Sequence, residues 1–134
     1  MAQTIQPPGW AKPKGYANGM LMPAGRVLFV GGQIGWDPTS AEPRFPSDDL
    51  GEQFLQALDN VLAVLKEAGG EPAHVARMTV YVTDKHQYLA ATRRIGEGWK
   101  ARMGRHYPAM ALLEVKSLLE DRAKVEIEAT CVLP

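Results

Sequence analysis

Glu126 and Glu128 stand two apart in Lys-Val-Glu-Ile-Glu-Ala, a segment that alternates polar and apolar residues. Residues two apart on a β-strand project from the same face, so such a pair presents neighbouring carboxylates. If that face were enclosed, at least one carboxylate would need a partner or would carry a raised pKa suited to moving protons. A solvated face with two ordinary glutamates is the simpler reading of the pattern alone. A second stretch has the form of a floor for such chemistry. Val27–Val30 is a short apolar run that breaks at Gly31-Gly32, where no side chain covers the backbone, and resumes at Gln33-Ile34 before Gly35-Trp36-Asp37-Pro38. A bare patch of strand reads as the bottom of a pocket, although a β-bulge or tight bend is the commoner meaning of glycine there.

Other chemistries find little footing. His74, His86 and His106 are scattered and no Cys/His cluster exists, so no metal or cofactor is expected. There is no Gly-x-Ser-x-Gly elbow or glycine-rich phosphate loop, and Ser40, Ser47 and Ser117 lack a base at readable spacing. Cys131 falls on the apolar side of its strand and reads as a core thiol. Arg93, Arg94, Lys100, Arg102, Arg105 and His106 gather near Trp99 and Tyr107, but Glu97 is interspersed and a solvated helix face accounts for them. Fifteen basic and fifteen acidic residues cancel, which removes any global field drawing in nucleic acid or an anionic membrane.

The 134 residues predict one domain, 1–134, with a Pro- and Lys-rich arm over 1–14. A single cysteine excludes an intramolecular disulfide, no run reaches the length of a membrane span, and the N-terminal residues lack the form of a secretory signal. A cytoplasmic protein is expected.

The elements that must carry the glutamates and glycines follow from periodicity. Gly15–Met22 is expected as a first strand, joined through Pro23-Ala24-Gly25 to the strand of Val27–Val30 in a hairpin. Ser47, Asp48 and Asp49 offer caps for a helix whose apolar stripe is Leu50, Phe54, Leu58, Val61, Leu65 and Ala68, stopped by Gly69-Gly70. Ala76–Thr83 alternates as a strand. Asp84 with Gln87 has the form of a capping box for a second helix to Met103 with the stripe Tyr88, Thr92, Ile95, Trp99 and Met103. Gly96 lies in that stripe and implies close contact between helix and sheet. Ala109–Val115 is apolar on both faces, and Ala123–Val132 alternates. The order ββαβαββ predicts an α+β sandwich with two helices on one face of a sheet. Two helices cover only one face, and the doubly apolar strand then wants a partner, most simply in a homo-oligomer.

Val-Gly-Gly-Gln-Ile-Gly-Trp-Asp-Pro, the helix Leu58–Gly70, the strand Thr79–Asp84, Tyr107-Pro108-Ala109 and Val125–Ala129 together resemble the Rid family. These are the reactive intermediate deaminases, also called YjgF and long labelled L-PSP endoribonucleases. The resemblance runs from about Gly15 to Val132. It implies a chorismate-mutase-like α+β fold with a mixed sheet, assembled as a homotrimer with ligand clefts between subunits. Family members with deaminase activity hydrolyse enamine or imine acids to keto acids and ammonia. By resemblance Glu126 matches the glutamate that helps place the attacking water, Gly32 the cleft glycine and Tyr16 an aromatic residue near the first strand.

The chain departs from that family at two positions. Met110 stands where the family has a carboxylate-clamping arginine, and Gly31 stands where many members have serine. Methionine cannot replace a charge-assisted contact of roughly 1.5–3 kcal/mol, so little activity on small imino acids is expected. The local wording resembles an arginine-lacking branch. Leu112, two residues on from Met110, joins it as a candidate ligand contact. Arg93, on the flank of the second helix, is a candidate replacement for the lost guanidinium, with a plain surface pair to Glu97 as the alternative. The resemblance thus implies a deaminase of a larger, 2-aminomuconate-like enamine/imine carboxylic acid. A non-enzymatic carboxylate binder and an endoribonuclease are the alternatives.

Overall fold

Helix α1 (Leu50–Glu67) starts where Asp49 accepts the Glu52 amide at 3.0 Å. It stops where the Gly70 and Gly69 amides return to the carbonyls of Leu65 and Lys66, with Gly69 at φ 85°. That left-handed conformation is what the glycine supplies. These facts come from a computed structural model that describes residues 2–42 and 44–134. Leu50, Phe54, Leu58, Val61 and Leu65 are buried, as the helical spacing requires. Helix α2 (Lys85–Met103) begins at Asp84, which accepts the amides of His86 and Gln87 at 2.9 and 3.1 Å. The Gln87 side chain makes no return bond among the described residues, so only half of the expected capping box forms.

The stripe of α2 also shifts. Ala91, Ile95, Trp99 and Met103 are buried, whereas Thr92 is exposed. Gly96 is exposed with open space around it; the close glycine is Gly98, where a Cβ would stand 2.5 Å from the Leu55 methyls. The glycine therefore serves contact between the two helices, not between helix and sheet.

The main sheet has four strands in the order β3 (Arg26–Ile34), β6 (Val125–Leu133), β4 (Val75–Val82), β5 (Ala109–Glu114). β6 pairs antiparallel with both neighbours, while β4 and β5 are parallel and joined through α2. Both helices cover one face of this mixed sheet, giving the α+β sandwich expected. Met78, Val80 and Val82 of β4 and Val125, Ile127, Ala129 and Cys131 of β6 meet the helices there. The alternate residues Arg77, Thr79 and Tyr81, with Glu126, Glu128 and Thr130, take the uncovered face. At the edge strand β5, Leu112 and Leu113 remain 38% and 45% exposed.

The arm is where the expected order changes. Gln3–Ile5 forms a strand, β1, which pairs antiparallel with β2 (Gly19–Leu21) as a separate two-stranded sheet. The element order is therefore βββαβαββ, and no hairpin joins β2 to β3. The Ala17 amide donates to the Pro108 carbonyl at 3.0 Å and bridges Ala17 to Ala109. This ties the segment before β2 to the β5 edge, the opposite edge of the sheet from β3. Among the described residues no helix is long and apolar enough to cross a membrane.

Candidate functional site

The pairing of β3 with β6 slips between Val30 and Gln33: Val30 faces Ala129 and Gln33 faces Ile127. Gly31 and Gly32 together thus oppose the single residue Glu128, which makes the glycine pair a β-bulge. The bulge and the bare floor are the same feature. Glu126 turns its side chain back across it, and a Cβ built on Gly32 would stand 2.8 Å from both Cδ and Oε2 of that carboxylate. Gly31 has open space where its side chain would be. Glycine at 32 is what lets a half-buried carboxylate lie against the backbone.

Two buried amides hold the strands in this register. Asn60 on α1 donates from Nδ2 to the carbonyls of Ile34 and Trp36, both at 3.0 Å, and accepts from Gln56 Nε2. Gln53, two turns earlier, donates to the carbonyls of Ser47 and Arg122 and accepts the Lys124 amide at 2.8 Å. One amide therefore pins the exit of β3, just beyond Gly32, and the other the entry to β6, just before Glu126. No buried side-chain polar atom among the described residues lacks a partner. The only sequence signal for this pair is two polar residues seven apart on the apolar side of α1.

Along the uncovered face runs an open cavity of 520 Å³ lined by Phe29, Gly31, Arg77, Thr79, Glu128 and Thr130, among others. The Gly32–Glu126 contact adjoins it, one residue along β3 and two along β6. Tyr81 Oη donates to Glu128 Oε1 at 2.9 Å. That bond to a carboxylate, with some desolvation, raises the Tyr81 pKa and keeps the phenol a donor. A second cavity of 320 Å³ holds Tyr16, Ala17, Asn18, Arg77, Ala109, Met110 and Ala111. Arg77 borders both. The alternation of β4 marks Arg77 and Tyr81 only as its polar side; their convergence with Glu126 and Glu128 comes from the pairing of β4 with β6.

Of the residues singled out in the sequence, Gly31, Gly32 and Glu126 come together on the bulge, and Tyr16 and Met110 share the second cavity. Met110 also packs against the core beside Met78, its partner across the strands. Leu112 lies two residues further along the β5 edge. Arg93 sits apart on the outer surface of α2, its side chain 93% exposed and 3.6 Å from Glu97, and it lines neither cavity. Half of the basic cluster is paired with carboxylates: besides Arg93, Arg94 bonds Asp49 at 2.9 Å and Arg102 bonds Asp59 at 2.6 Å. Among the described residues, no three His, Cys, Asp or Glu side chains gather as a metal site.

Residues 11–133 match the family model described as Endoribonuclease L-PSP, which sets the class of protein to which the chain belongs. The chain belongs to this family, the Rid or YjgF proteins. It is 30% identical over 129 residues to the human 2-iminobutanoate/2-iminopropanoate deaminase, covering 96% of this chain and 86% of that one. The structure of YyfB, a Rid family protein of unknown function from Yersinia pestis, superposes with a TM-score of 0.83 at 29% identity over 98% of both chains. TdcF of E. coli, solved with bound serine, gives 0.70 at 29% identity over 98% of this chain and 99% of the other.

Proposed function

We propose that this chain is a hydrolytic deaminase of an enamine or imine carboxylic acid, working in a cleft that another subunit completes. The observation that carries the reading is the Glu126 carboxylate resting on the Gly32 floor beside an open, partly polar cavity. A carboxylate in that position holds a water and takes its proton as the water adds to the C=N carbon. An enamine enters as its imine tautomer. The first water proton passes to nitrogen to give a carbinolamine, and its hydroxyl proton then follows to nitrogen as the C–N bond breaks, the carbonyl forms and ammonia leaves. The name of the human relative, a deaminase of 2-imino acids, supports the reaction class.

Residue 110 bears on the substrate. Met110 brings no charge to the cavity it shares with Tyr16 and Arg77, so residue 110 cannot itself pair the carboxylate of a short imino acid, and the cation at hand is Arg77 on the neighbouring strand. A longer, 2-aminomuconate-like acid is the substrate class we favour. The same observation supports a second reading, a small-molecule carboxylate binder without turnover. Ammonia release separates the two: 2-aminomuconate and 2-iminobutanoate, both generated in situ, are offered to the purified protein. Release from 2-aminomuconate well above the rate of spontaneous hydrolysis is expected. Binding without release would leave the binder.

An endoribonuclease receives no support from the paired arginines of α2. RNA cleavage that survives repurification to constant specific activity would restore that alternative.

A further inference from the structure

The chain has eight arginines, and the described residues account for the charge of six. Arg44, Arg93, Arg94, Arg102 and Arg122 pair with Asp37, Glu97, Asp49, Asp59 and Asp48, and Arg26 bonds the Pro134 carbonyl. Arg77 and Arg105 make no side-chain hydrogen bond or ion pair among the described residues. Of these two, only Arg77 borders the cavities of the uncovered sheet face, and it borders both. A guanidinium left without a carboxylate, between Tyr16 and Met110 on one side and Gly31 and Glu128 on the other, has the chemistry of an anion anchor.

Its distance from Glu126 sets the kind of anion. Glu126 lies opposite Tyr81, whereas Arg77 lies opposite Thr130. Four residues of strand separate the two rungs, about 13 Å between backbones. The Arg77 side chain covers part of that, and the ligand must span the remaining several ångströms. An acid whose carboxylate sits directly on its reacting carbon is too short to touch both groups at once. An extended dicarboxylate is not.

We infer that Arg77 binds the distal carboxylate of an extended dicarboxylic ligand whose reacting carbon lies at Glu126, and so selects long acids over short ones. The inference rests on the reading of this face as the substrate cleft. It concerns recognition, so it is tested by binding.

The probes are trans,trans-muconate, a stable six-carbon dicarboxylate, and 2-oxobutanoate, a short keto acid, titrated calorimetrically into wild type, Arg77→Ala, Arg77→Lys and Arg105→Ala. Muconate affinity is expected to fall at least tenfold in Arg77→Ala, to recover in part in Arg77→Lys, and to stay within twofold in Arg105→Ala. 2-Oxobutanoate should change less than twofold in all of them. Unchanged muconate affinity in Arg77→Ala overturns the inference, as does an absence of muconate binding in wild type or an equal loss for both probes. Arg77→Lys keeps the charge and the alkyl stem, so it serves as the folded control should Arg77→Ala be destabilised. The deaminase reading fails separately: muconate binding that depends on Arg77 without ammonia release leaves the anchor standing. Release from 2-aminomuconate with a KM that Arg77→Ala leaves unchanged removes the anchor and keeps the enzyme.

Discussion

The carboxylate of Glu126 lies directly over Gly32, so close that a single methyl group on the glycine would stand 2.8 Å from it, inside van der Waals contact. The neighbouring Gly31 has no such constraint. Two adjacent glycines of one bulge should therefore respond differently to the same substitution. Gly32→Ala is expected to displace Glu126 and lower deamination or ligand binding at least tenfold, whereas Gly31→Ala should stay within about twofold. Glu126→Gln keeps the shape and removes the base, and should cost at least tenfold in turnover with the fold intact, given the 10²–10⁴ that acid–base assistance contributes. Initial rates for the three variants, with circular dichroism as the folding control, decide it. Equal behaviour of the two alanine variants would disconnect Glu126 from the floor.

Asn60 holds two carbonyls at the exit of β3 from inside the core. Asn60→Ala leaves buried acceptors without a donor, at a cost of about 1–3 kcal/mol. The urea midpoint should fall by the corresponding amount with the slope unchanged. An unaltered midpoint would mean that the carbonyls find water or another donor.

Burial pushes the Cys131 thiol from its ordinary 9.0 up to about 11. The unfolded chain then releases this proton before the folded one does. Its contribution to stability is therefore fully present below pH 9 and is lost as pH rises from about 9 to 11. Urea midpoints measured from pH 8 to 11 should fall more steeply for wild type than for Cys131→Ala, which has no thiol to ionise. Parallel curves would show that the thiol does not sense burial.

On the face that the helices leave open, Phe29 is 78% exposed, Val27 53% and Leu113 45%. Val27 and Phe29 lie on the β3 edge and Leu113 on the β5 edge, and large apolar side chains left exposed at both edges of one bare sheet face mark an interface. We expect a homotrimer, with a mass by light scattering three times that of the chain at micromolar concentration. A monomer mass there would remove the second subunit from the proposed cleft. Phe29→Asp should shift a trimer toward monomer.

Much of this architecture is written locally. The stripe of α1, its Asp49 start and its Gly69-Gly70 stop are set by residues a few positions apart, and so is the alternation that puts Glu126 and Glu128 on one side of β6. The Gly31-Gly32 break is legible too, although not whether it is a bulge or a floor; in the fold it is both. What contacts distant in the chain decide could not be read there. β2 pairs with the arm strand β1 and not with β3, because Ala17 is bonded to the far edge of the sheet. Gly98 and not Gly96 is the tight position, because α1 presents Leu55 to it. Gln53 and Asn60 look like interruptions of an apolar stripe until the strand carbonyls they serve are in place. Arg77 is one polar residue in an alternating strand until β4 docks beside β6. Periodicity and capping belong to neighbours along the chain, whereas which carboxylate rests on which glycine, and which cation is left unpaired beside them, depends on strand order and register.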